Sequence, residues 1–117
     1  MSVADLLATL QSEAKRRAYI RWLDVLEHTP SLLKARLYVT SELFVQVYRN
    51  DRFDTTSLVV IHNGQRLYGR DQLGGVWHRH IQTAPDIHDI SLPGQQPVTL
   101  REFLDEVETV LAAMALP

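Results

Sequence analysis

What most constrains this chain is a two-residue hydrophobic rhythm that starts at Leu32 and keeps being renewed. In "LLKARLYVT", Leu33, Ala35, Leu37 and Val39 fall on one side of an extended backbone, and Lys34, Arg36 and Tyr38 fall on the other. "ELFVQVYR" repeats the pattern with Leu43, Val45 and Val47 inward. A helix would scatter these residues around its axis, so the period predicts strands with one buried face. The short link at Ser41-Glu42 predicts a hairpin, and "DTTSLVVIH" reads as a third strand. Asn63-Gly64 is the strongest turn signal, because a type I′ turn needs positive φ at both positions. "QRLYGR" returns from that turn. Gly74-Gly75 breaks the ladder as a bend, and "VWHRHIQ" is a further short strand.

Helical periodicity flanks the strands. Val3 to about Arg17 forms an apolar stripe of Val3, Leu6, Leu7, Leu10 and Ala14, with Ser2 as cap and Asp5 in the first turn. Lys15, Arg16 and Arg17 gather where the helix dipole favours cations. Residues 18–27 read two ways. Ala18, Trp22 and Val25 continue the stripe, yet "AYIRWLDVLEH" is also rich in β-branched and aromatic residues and ends at Thr29-Pro30. At the other end, "SLPGQQPVT" reads as a loop. Thr99 and Glu102 are spaced as a capping box before Leu100, Phe103, Leu104, Val107, Val110 and Leu111, the buried stripe of a second helix. The expected fold is α+β: an antiparallel β-meander of five or six strands, with an N-terminal and a C-terminal helix packed on one face.

Composition narrows the chemistry. The 117 residues predict a single α+β domain spanning 1–117, and a chain of this size can bury a core without staples. No cysteine is present, which excludes disulfides, thiolate metal sites and cysteine nucleophiles. Asp5, Glu13 and Lys15 interrupt the first apolar residues, so no signal peptide is expected, and no apolar run approaches a bilayer span of roughly 20 residues. The expectation is a cytoplasmic protein with no membrane partner. A net charge of −2 argues against a whole-surface attraction to nucleic acid but leaves room for a local basic groove.

The candidate site is "GRDQLGGVWHRHIQT". On a strand, His78 and His80 point the same way, roughly 7 Å apart. Two imidazoles at that spacing suit acid and base work on a phosphodiester, one taking the 2′-hydroxyl proton and the other protonating the leaving oxygen. Arg70 or Arg79 would offset charge on the phosphoryl oxygens. Arg79 alternates to the opposite face from the histidines, which favours Arg70. Asp71 is placed to hold one ring in a useful tautomer. The same residues also suggest a metal site, His-x-His with Asp71, Asp86 or His88 as third ligand, although none stands at a recognised short spacing. The plainest alternative is a half-exposed histidine pair with no chemistry. His62 and His28 read as solvated strand or turn ends, and the basic run at residues 14–17 as dipole compensation. Trp22, Trp77, Tyr38 and Tyr48 are able to stack on bases, though packing is the commoner fate of such residues.

The order of these features resembles the TumE-type toxins of toxin–antitoxin pairs. The likeness is carried by "KARLYVTSELFVQV", by "RLYGRDQ", most sharply by "VWHRHI", and by the closing "PVTLREFLDEVETVL". By position, Asp71 matches the family aspartate, His78 and His80 its last spaced histidines, and Arg79 the basic residue between them. Trp77 stands where the family often has a further histidine, Gln72 where it often has asparagine, and "LGG" is a shortened segment. The resemblance implies a strand over Ile20 to Leu26, and as partner a cognate helix-turn-helix antitoxin. With the histidine pair, it leads to the expectation of a ribonuclease-like toxin acting on RNA without a cofactor. Two alternatives stand beside it: a non-catalytic protein-binding module of a two-protein complex, and a small metal-binding protein. The meander leaves an edge strand able to pair across a two-fold axis, so a homodimer is a further possible assembly.

Overall fold

Residues 1–81, 84–89 and 95–116 are described by the structure, a computed structural model, with side chains up to residue 80 and from residue 95 onward. Helix α1 (Val3–Arg16) leads into β1 (Trp22–His28), β2 (Leu32–Thr40), β3 (Leu43–Asn50), β4 (Thr55–His62), β5 (Gln65–Leu73), β6 (Val76–Ile81) and β7 (Ala84–Asp89), and helix α2 (Leu100–Ala113) follows. The strands hydrogen-bond in chain order as one antiparallel sheet. This is the expected α+β meander, with one strand more than the periodicity indicates. The extra strand is "APDIHD", where a proline and three ionisable residues hide any alternation.

The ambiguous segment is a strand. Trp22 lies opposite Tyr38 and Val25 opposite Ala35. Helix α1 stops because Arg17 adopts an extended backbone and turns its guanidinium back onto Glu13 and onto the Arg101 carbonyl of α2. That tether and the pairing with β2 override the helical stripe. Being an edge strand, β1 is mostly exposed despite its apolar composition, and its ladder slips between Val25 and Glu27.

Both helices cover the same sheet face. Helix α1 lies over β1 and β2, α2 lies over β4 and β5, and the two helices touch. Val3, Leu6 and Leu10 of α1 and the expected six residues of α2 join Leu33, Ala35, Leu37, Val45, Val47, Leu58 and Val60 in one core. Ser2 caps α1 by accepting from the Asp5 amide, and Thr99 with Glu102 forms the reciprocal capping box of α2. Asn63 and Gly64 both have positive φ, as a type I′ hairpin requires. Gly74-Gly75 is likewise a turn, not a break in the ladder. Both glycines have positive φ, and Leu73 faces Val76 directly across them.

That tight turn fixes the register that matters. Asp71 lies opposite His78, Gly69 opposite His80, and Arg70 opposite Arg79. Alternation then sorts the stretch onto two faces. Tyr68, Arg70, Gln72, Trp77 and Arg79 face the helices, whereas Gly69, Asp71, His78 and His80 occupy the outer face.

Candidate functional site

Buried ionic groups occur in several places, and most have a tethering job on the helix side. Glu13 and Arg17 join α1 to α2. Arg49 donates to Asp51, Asp54, Thr56 and Gln72, and Asp51 in turn accepts from the Val3 amide, so this arginine fixes the start of α1 to the end of the sheet. Arg70 grips Glu106 of α2 with two bonds of 3.0 and 2.8 Å, and the Tyr68 hydroxyl donates to the same carboxylate. Burial, with the Glu106 carboxylate beside it, pushes the Tyr68 phenol up to about 12, so it remains a proton donor at neutral pH.

On the outer face, His80 Nε2 lies 2.9 Å from Asp71 Oδ2, and His80 is only 3% exposed. A carboxylate only accepts, so this contact makes Nε2 the protonated nitrogen. The pair joins two strands that the backbone ladder already joins, so tethering does not explain it. The other Asp71 oxygen is buried without a hydrogen-bond partner among the described residues. His78, opposite Asp71 and on the same face as His80, is partly exposed. Gly69 leaves the position opposite His80 without a side chain, and a Cβ there would stand 3.0 Å from the Leu58 carbonyl oxygen.

The structure therefore brings together three of the expected residues, His78, His80 and Asp71. It places Arg70 and Arg79 on the other side of the sheet. The expectation favouring Arg70 over Arg79 is corrected by the register, since two directly opposed residues share a face. Arg70 is turned to Glu106. An arginine outside the expected set, Arg66, approaches His80: its Nη1 lies 3.5 Å from His80 Nε2, and its side chain is exposed. Simple alternation from Asp71 puts Arg66 on the helix side. A bulge between Val60 and Ile61 in the β4–β5 register, with Val60 facing Tyr68 and Ile61 facing Arg66, resets the parity and brings Arg66 outward.

No cluster of three metal-ligating side chains occurs among the described residues, and the side chains of Asp86 and His88 lie outside them. Nor is any helix among the described residues long and apolar enough to cross a membrane. Comparison with family models, curated proteins and solved structures found no match to this chain.

Proposed function

We propose that the outer face at β5–β6 is an acid–base site that cleaves RNA, and that the chain is the toxin of a toxin–antitoxin pair restrained by a helix-turn-helix antitoxin. The observation that carries the reading is the Asp71–His80 contact beside a partly exposed His78 on one face. His78 is the catalytic group in this scheme. It removes the proton from a 2′-hydroxyl, whose oxygen attacks the adjacent phosphorus. The bond to the 5′-oxygen breaks, and the same imidazole returns the proton to that leaving oxygen. The products are a 2′,3′-cyclic phosphate and a 5′-hydroxyl end. Asp71 and His80 are positioning residues, a buried carboxylate and imidazole that set the local field, and Arg66 adds a cation 3.5 Å from His80.

One observation favours a second reading. His80 is almost fully buried, which also suits a structural pair inside a non-catalytic module whose sheet docks a protein. Single-stranded RNA incubated with the purified protein separates the two. The expected result is fragments ending in cyclic phosphate, with the His78→Ala variant slower by roughly a hundredfold or more. Because His78 is only partly buried, unfolding is not expected to confound the comparison, and a melting curve checks this. Absence of cleavage by the parent protein, or undiminished cleavage by His78→Ala, refutes the catalytic scheme.

A further inference from the structure

The outer face carries a second feature that the acid–base scheme does not use. Trp22 on β1 stacks on Tyr38 of β2 at 4.6 Å between centroids with planes 10° apart, and Tyr38 meets Phe44 of β3 at 5.1 Å. The three residues stand directly opposite one another in register, and the row continues through Ile61 to Arg66. The Arg36 guanidinium lies 4.6 Å over the Phe44 ring and donates to the Tyr38 hydroxyl and to Gln46. Trp22 stays 46% exposed, because no strand lies beyond β1 to cover its far side.

We infer that this row is a stacking platform for the bases of single-stranded RNA, the substrate class of the site proposed above. The inference rests on that reading for the word RNA but not for the stacking itself. Several observations favour a nucleic-acid strand over a protein. Trp22 is exposed and stacked flat on the partly buried Tyr38, so a base extends that stack on the open side of Trp22. Arg36 lies over the Phe44 ring beside the row and Arg66 closes the end away from Trp22, two cations able to meet phosphates along one side of a bound strand. The acids of β1, Asp24 and Glu27, lie in the neighbouring register rows opposite Arg36 and Lys34, outside the aromatic row. A base presents its face to a ring only when it is unpaired, so the strand must be single. From β1 to β6 the sheet spans about 24 Å at the usual strand spacing, so an extended strand anchored on Trp22 reaches His78 diagonally across one face.

The probe is a fluorescent single-stranded DNA oligonucleotide, which lacks the 2′-hydroxyl and cannot be cleaved by the proposed route. Stacking does not require that hydroxyl, so this measurement reads the platform alone. Fluorescence anisotropy with the full chain is expected to show binding that weakens about five- to a hundredfold for Trp22→Ala. Trp22→Phe, which keeps an aromatic face, is expected to recover most of it. The same sequence as a duplex is expected to bind more weakly than the single strand. Binding of the oligonucleotide without RNA cleavage by the parent protein would refute the acid–base scheme and leave the platform standing. No oligonucleotide binding, equal binding by Trp22→Ala, no recovery by Trp22→Phe, or a preference for duplex overturns the platform. Retention of a protein partner that depends on Trp22, with no oligonucleotide binding, overturns it in favour of a protein-docking face.

Discussion

Replacing Glu13 with glutamine removes one negative charge from between two guanidinium groups and keeps the side chain's shape. Glu13 is 2% exposed and accepts from Arg16 Nε and Nη2 at 2.7 and 3.0 Å, and from Arg17 Nε and Nη2 at 3.1 and 2.9 Å. The Arg16 hydrogen bonds, opposed by burial and reinforced by Arg17, hold its carboxyl down at about 2, against an ordinary value of 4.5. That interval corresponds to an upper bound of about 3 kcal/mol of stability at neutral pH. Arg16 is half exposed, so water screens its share, and a loss of about 1–2 kcal/mol is expected for Glu13→Gln. In a domain of this size that is roughly 4–10 °C in Tm. The sign follows from a depressed folded-state value. The stabilisation is fully present above pH 4.5 and disappears as pH falls towards 2, because the native carboxylate must then take up a proton. By pH 3 the gap between parent and variant is expected to shrink to roughly two-fifths of its neutral value. Urea unfolding of both proteins from pH 7 to pH 3 measures it. A gap that is absent at pH 7, or as large at pH 3 as at pH 7, refutes the account.

Two further substitutions probe the frame around the site. Gly69→Ala places a methyl 3.0 Å from a backbone oxygen that cannot move alone, and is expected to cost about 1–3 kcal/mol; denaturant unfolding indistinguishable from the parent would contradict this. Thr99→Ala removes half of the capping box of α2 and is expected to cost about 1 kcal/mol, and an unchanged melting temperature would show that the box contributes little.

Much of the fold was legible because one-sided burial writes itself into sequence as alternation. The inward residues of β2 and β3 and the buried stripe of α2 are where the pattern puts them. Periodicity left Trp22 to His28 undecided, although the family resemblance pointed to a strand over Ile20 to Leu26, since an exposed edge strand obeys no burial period and its identity is decided by pairing with β2. "APDIHD" shows no alternation either, since a proline and three ionisable residues make up most of its length. At the candidate site, the shared face of His78 and His80 follows from their spacing, but the partners depend on register. Taking Gly74-Gly75 as a two-residue hairpin turn places Asp71 against His78 and sends Arg70 to the other side. Arg66 was beyond reach, because the bulge that turns it outward arises from the match between two strands and leaves no mark in either one. Glu13 was hidden for a related reason: a carboxylate on a buried helix face looks like an error until the arginines around it are seen.

An unpaired strand at the rim of a sheet offers its amides and carbonyls to any passing copy, and β1 adds three greasy side chains, Trp22, Val25 and Leu26, to the invitation. The slipped register between Val25 and Glu27 puts those groups out of step for a second ladder, and the exposed carboxylates of Asp24 and Glu27 add like charge along the rim. The rim thus resists growth into fibres without being sealed. The side of β1 turned away from β2 is therefore a poor template for one more strand.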